Sequence, residues 1–493
     1  MGIIQKQTLR GSFYSYLGVL VGFITTGILY PRILSTDEIG LVNLLVSFSV
    51  LFAQFASLGF NGVINRLFPY FRNSRNGHNG FLMIALIVSA SGFLITYGIF
   101  ELYKPVLIRN NIEESALLVQ YIDYIVPLIF FTLFFNLFDS YNKAIYDAVL
   151  GTIAKEFLQR IFILVALLFY FFNLIKIETF ITLYAIAVSS PALIMIISLM
   201  IRGEFRIRMP SREIFTKKMI REMIDLSIFG ILAGFGTLAI LHIDRILVNK
   251  FLGLSATGIY ATNFFFATLI VIPSRSLLKI ATTILADSWK SGDLDNILLV
   301  YKKSVINQGV FALLIFTGLW VNIDNIYQII PPEFAEGKWV ILFIGLANII
   351  QMISGVSGTI ILTSERFRIH TYFIIIFLAS LIGFNYILIP RLGLTGAALA
   401  STISSLIFNL LRCGYVYFKF GMNPFDYRIF LLAGIGLVSY LAGYVIPQVY
   451  FITDIIIRSA VVAIVFLSLI FFFRISEDLN NLVIKFLKKQ TGK

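Results

Sequence analysis

Gly18-Val19-Leu20-Val21-Gly22-Phe23-Ile24-Thr25-Thr26-Gly27-Ile28-Leu29-Tyr30 returns without a gap as Gly230-Ile231-Leu232-Ala233-Gly234-Phe235-Gly236-Thr237-Leu238-Ala239-Ile240-Leu241-His242. Seven of the thirteen positions are identical, including Gly18/Gly230, Gly22/Gly234 and Thr25/Thr237. One inserted residue later, Arg32-Ile33-Leu34 meets Arg245-Ile246-Leu247. Shared Leu and Ile mean little in an apolar chain, but two glycines and an arginine in register mean more. Each copy lies in an apolar run of about 20 residues, the length a helix rising about 1.5 Å per residue needs to cross about 30 Å of hydrocarbon.

Outward from these two runs, about fourteen such spans are expected. They are residues 12–31, 39–60, 80–101, 119–139, 153–173 and 177–201, then 224–243, 258–280, 305–321, 339–362, 367–389 and 394–418, and finally 430–447 and 455–473. The first, with Lys6 and Arg10 ahead of it, resembles a signal peptide but is too long and lacks a small-residue cleavage site, so a retained helix is expected. The repeat begins at the first and seventh spans, so each half holds six helices running the same way. This is a parallel repeat about an axis along the membrane normal. The predicted fold is therefore an all-α membrane protein with two six-helix lobes, residues 1–210 and 211–421. Residues 422–493 add two further helices and a basic cytoplasmic tail.

Composition agrees. Of 493 residues, 58% are hydrophobic and 13% charged, against about 45–50% and about 25% in soluble domains, which excludes a water-soluble enzyme. The net charge of +13 does not indicate nucleic acid, because Lys and Arg punctuate apolar runs instead of gathering on a polar domain. Lone Cys413 and the scattered His78, His242 and His370 offer neither a disulfide nor a metal-ligand spacing. No Gly-x-x-x-x-Gly-Lys-Ser/Thr loop is present to cradle phosphates, so neither ATP-driven pumping nor any other cofactor is expected. Asp293-Leu294-Asp295 is the only acidic pattern like a sugar-transferase metal motif, and its position before an apolar run suits a helix cap.

With the N-terminus inside, thirty of the 39 Lys and Arg fall on the cytoplasmic side, as the positive-inside rule requires. Both termini are then cytoplasmic. Ser211 and Lys488 should face in, and Asn111 and Glu333 out. Trp320 and Trp339 flank an outward loop, where indoles favour the interface.

Two facing bundles suggest an alternating-access carrier. Gly18-x-x-x-Gly22 and Gly230-x-x-x-Gly234 allow close helix approach or bending, and Pro127, Pro191 and Pro273 allow bends within spans four, six and eight. Arg275 and Lys279, spaced i, i+4, share one face of the eighth span. With Arg10, Arg66, Lys143, Lys155 and Arg160 they are candidates to ring a vestibule for an anionic head group such as a pyrophosphate, the alternative being that each snorkels to the interface. Asp244 and Asp123 are candidates for coupling to H⁺ or Na⁺, interfacial placement again being the alternative.

The segments Tyr16-Leu17-Gly18 through Tyr30-Pro31-Arg32-Ile33-Leu34-Ser35, Glu38-Ile39-Gly40-Leu41, Leu58-Gly59-Phe60 and Arg66-Leu67-Phe68-Pro69 resemble the opening of bacterial polysaccharide flippases, the O-antigen and capsule type. These belong to the multidrug/oligosaccharidyl-lipid/polysaccharide exporter superfamily. Asp244-Arg245-Ile246-Leu247, Gly253 to Tyr260 and Pro390 to Ala400 are similar to its recurrent second-half segments. The resemblance implies two lobes forming a V-shaped cavity, and no enzymatic activity. It implies transport of undecaprenyl-pyrophosphate-linked oligosaccharide from the inner to the outer leaflet of the bacterial cytoplasmic membrane. Membrane lipids, and other membrane proteins of polysaccharide assembly, are the implied partners. Related lipid II flippases carry cavity arginines in the first, second and eighth spans. Arg275 matches the eighth, whereas Arg10 and Arg32 only bracket the first. A cation-coupled multidrug exporter of the same fold would need an acid deep in a lobe, and the basic vestibule argues against it. A polytopic glycosyltransferase or polymerase is disfavoured by the short outer loops, residues 102–118 and 322–338.

Overall fold

In hydrocarbon every backbone N–H and C=O must be bonded within the chain, and a helix does this segment by segment. The computed structural model describes residues 3–210 and 215–481, and among them there is helix but no strand. Ser211 and Lys488 therefore lie outside the described residues.

The principal helices of the first half are α1 (Ile3–Gly22), α2 (Thr36–Ala56), α3 (Phe60–Phe71), α4 (Phe81–Asn111), α5 (Ile125–Ala144), α6 (Gln159–Phe171) and α7 (Ile177–Ile201). There follow α8 (Lys217–Thr268), α9 (Ile272–Ser291), α10 (Leu294–Val321), α11 (Ile323–Ile329), α12 (Lys338–Ile353), α13 (Arg368–Phe420), α14 (Tyr427–Tyr444) and α15 (Phe451–Phe472). Leu102, Phe418, Phe430 and Phe472 are each at least 75% exposed, which only a lipid environment makes tolerable.

Among the described residues, 11 helical stretches are long and apolar enough to cross a membrane. Arg368–Phe420 takes in the eleventh and twelfth expected spans, and Leu238–Ser291 takes in the eighth with the end of the seventh. In α8 the backbone leaves the helix only at Gly253 (φ 81°, ψ −175°), and in α13 only at Gly393 (φ 58°, ψ −136°). Positive φ of this kind is open to glycine and costly for other residues. The fifth expected span is divided between a π-helical turn, Ile153–Leu158, and α6.

Local signals explain the ends. Ser35 caps α2 by accepting from the Glu38 N–H at 3.2 Å, while the Glu38 carboxylate accepts from the Ser35 N–H at 2.8 Å, a complete capping box. Asp293 caps α10 by accepting from the Asn296 N–H at 2.9 Å. Pro191 lies inside α7. Pro273 instead stands in the first turn of α9 behind a 3-10 turn, Leu269–Val271, where its missing N–H costs nothing. Pro127 is likewise at the start of α5. Asn111 is the last residue of α4 and is buried, with Asn249 donating to it at 2.5 Å.

Contacts group the chain into two units, Met1–Ala261 and Thr262–Lys493. In the first unit, the position of a Cβ on Gly18 is taken by the Glu156 backbone, and that of a Cβ on Gly22 by the Arg160 guanidinium. A Cβ on Gly234 would meet the Gln54 amide, and one on Gly230 would lie 2.8 Å from the Gly59 carbonyl oxygen. The repeated glycines thus receive different neighbours, the π turn with the start of α6 in the first copy and α2 with the start of α3 in the second. Phe55 and Phe235 rings meet at 4.4 Å beside the second contact. In the second unit, α10, α14 and α15 close a core around Ile306, Val310, Leu432, Ile435, Phe466 and Ile470.

Candidate substrate-binding residues

In the first unit, Arg10 stands on α1 and Arg66 on α3, both exposed. Helix α3 is amphipathic: Val63, Ile64, Leu67, Phe68 and Phe71 are buried, which turns Arg66 outward. In the second unit, Arg275 and Lys279 occupy adjacent turns of α9 and are both exposed, while Ser274, Ala281 and Leu285 face inward. Among the described residues none of these four cations has a carboxylate within ion-pair distance.

The other expected vestibule residues divide. Lys143 pairs with Asp139. Arg160 bonds Glu156 at 3.2 Å and donates to the Gly18 carbonyl, so it is engaged in holding α1 against the π turn. Lys155 is different. It lies on that π turn, a distortion frequent at functional sites, exposed and 4.8 Å from the centre of the Phe135 ring. It lies within electrostatic reach of Asp139, Lys143, Glu156 and His242. His242 Nδ1 is 3.1 Å from the Ser47 hydroxyl. Sequence reading had set His242 aside, since a lone histidine carries no spacing signal. What links it to Lys155 is tertiary packing.

The two acids also differ. Asp123 sits in a 3-10 turn, Ile122–Tyr124, with its side chain 74% exposed and paired with Lys104. Asp244 is buried and accepts from the Tyr260 hydroxyl at 2.9 Å, with Arg245 beside Tyr260, Tyr184 and Asp244. Among the described residues no three His, Cys, Asp or Glu side chains gather in a way that could hold a metal ion.

Solved transporters share the fold of this multi-pass helical membrane protein. The lipid II flippase MurJ in an inward-closed conformation superposes with a TM-score of 0.75 at 14% identity, covering 94% of this chain and 99% of that one. An inward-facing multidrug resistance MATE family transporter of the MOP superfamily gives 0.61 at 13% identity, covering 85% and 99%. A MOP superfamily transporter from Pyrococcus furiosus gives 0.57 at 14% identity, covering 87% and 96%. No curated protein matches the chain in sequence. Residues 8–285 match the family described as polysaccharide biosynthesis protein, and the chain belongs to that family. All nine expected charged residues, Arg10, Arg66, Asp123, Lys143, Lys155, Arg160, Asp244, Arg275 and Lys279, fall inside the matched stretch.

Proposed function

We propose that the protein is a flippase carrying a polyprenyl-pyrophosphate-linked oligosaccharide from the inner to the outer leaflet of the cytoplasmic membrane by alternating access. The observation that carries this reading is that Arg10, Arg66, Arg275 and Lys279 are exposed and reach no carboxylate among the described residues, within the stretch matched by the polysaccharide biosynthesis family. A pyrophosphate crossing hydrocarbon must exchange its hydration for fixed donors. Arg supplies a fork matching two phosphate oxygens and Lys a compact charge. The repeat supports rocking of residues 1–210 against residues 211–421, with Asp244 and Asp123 as the acids for H⁺ or Na⁺ coupling. The four exposed candidate cations favour an anionic cargo over a cationic drug.

The test is genetic and chemical. Depleting the protein should remove surface glycan and leave lipid-linked oligosaccharide on the cytoplasmic leaflet. Surface glycan at the normal level after depletion would overturn the reading.

A further inference from the structure

In the second unit a cavity of about 540 Å³ opens where α10, α11, α14 and α15 meet. The charge bias places this end of the spans outside. One wall is aromatic: Trp320 stacks on Phe316 with planes 4° apart, and Tyr440 stacks on Tyr444 at 5.8 Å. The opposite wall is polar. Asp454 is 1% exposed, and its Oδ2 accepts from the Arg458 Nε–H at 2.7 Å and from the Asn325 amide at 2.6 Å. Arg458 also donates to the carbonyls of Ile446 at 2.7 Å and Gly443 at 3.3 Å. Asp454 belongs to the lining as a residue, with its Oδ1 fully buried and without a hydrogen-bond partner.

The charges of the lining define the ligand. Lys338 pairs with Asp324 at 2.8 Å and Arg458 with Asp454, so both cations and both acids of the lining are already neutralised. An anionic head group would find no free cation here, and a metal ion would face Arg458 and Lys338. What fits paired charges, the polar side chains of Asn325 and Gln448 and flat aromatic faces is a neutral polyhydroxylated molecule, with O–H groups for the polar lining and C–H faces for the rings.

We propose that this cavity binds neutral sugar units of the transported oligosaccharide at the outer face. The proposal deepens the flippase reading and rests on it. The pyrophosphate and the glycan would then be held by different parts of the chain, the head group by unpaired cations and the sugars by a charge-balanced aromatic pocket. Neither the repeat nor the composition pointed here, because the lining comes from the two helices beyond the repeat and from the loop between α10 and α12.

The experiment uses the full chain in cells depleted of the natural copy. p-Benzoylphenylalanine replaces Tyr444 at the cavity, or Val438 on another face of α14, and light-induced adducts are read by mass spectrometry. A sugar-bearing adduct at position 444, at least tenfold above position 438, is expected. Tyr440→Leu should lower that yield by about tenfold, equal to about 1.4 kcal/mol, with protein abundance unchanged. A sugar-free lipid adduct or none at 444, in cells whose surface glycan depends on the protein, overturns the pocket and leaves the flippase reading standing. Surface glycan that does not depend on the protein overturns the flippase reading and the pocket with it.

Discussion

At the scale of single residues, ion-pair partners separate cations free to bind from cations engaged in structure. Arg160 and Lys143 have carboxylates, whereas Arg275 and Lys279 have none among the described residues. Arg275→Ala is therefore expected to abolish surface glycan with abundance and membrane insertion intact, and Arg275→Lys to restore it only in part, since Lys lacks the planar fork. The double change with Lys279→Ala should be no worse than the more severe single, because both break one binding unit. Normal export by the double variant at natural expression would return both residues to simple interfacial anchoring. Asp478 carries a pH prediction. Hydrogen bonds from Lys303 at 2.8 Å and from Asn307 at 2.9 Å hold its carboxyl below the ordinary value of 3.8. A depressed folded-state value means that this tie stabilises the segment after α15 above about pH 4, and that the contribution is lost as pH falls through the lowered value. Amide exchange of residues 476–481 should accelerate in that acid range, and Asp478→Asn should remove the dependence.

At the scale of elements, the spans were legible because crossing hydrocarbon demands long apolar runs, and such runs are visible in one sequence. Their joints were less so. A glycine between two apolar runs reads as an ordinary loop, and only backbone angles show that α8 and α13 each change course at one residue. Gly393→Ala is expected to strain that joint and lower thermal stability, with the shift read in purified protein. The small-residue motif was also legible, but not its partners: Gly18 meets the π turn and Gly22 meets Arg160 of α6, whereas Gly230 and Gly234 meet Gly59 and Gln54. Gly234→Leu should cost about 1–3 kcal/mol by overfilling the contact, measurable as a lowered melting midpoint, whereas Gly98→Leu, with open space at its Cβ, should not. Of the expected site, the cations were readable from charge in apolar context. The engagement of Arg160, the Lys155–His242 neighbourhood and the Asp244–Tyr260 bond depend on residues far apart in the chain, which periodicity does not report.

At the scale of the whole molecule, the repeat and the contacts divide the chain at different places. The repeat assigns residues 211–421 to a second lobe, while contacts keep the chain through Ala261 with the first unit. Spin labels at Arg32 and Lys250 distinguish the two. Rocking of the repeat lobes predicts that their separation changes with substrate, and one unchanging distance would instead favour motion that keeps the first 261 residues together. For topology, single cysteines at Glu113 and Glu333 in a Cys413→Ala background should react with an impermeant reagent on intact cells, and one at Ser291 should react only after permeabilisation. Labelling of position 291 but not 333 on intact cells would invert the orientation.

The glycine joints also bear on how the chain is made. A ribosome feeding α13 into the membrane delivers more than one span's length of apolar helix, 53 residues, with only Pro390 and Gly393 to interrupt it. No hydrophilic stretch is available there to pause in water between one span and the next. The two parts of α13 are then best received by the insertion machinery together, and the same holds on either side of Gly253 in α8.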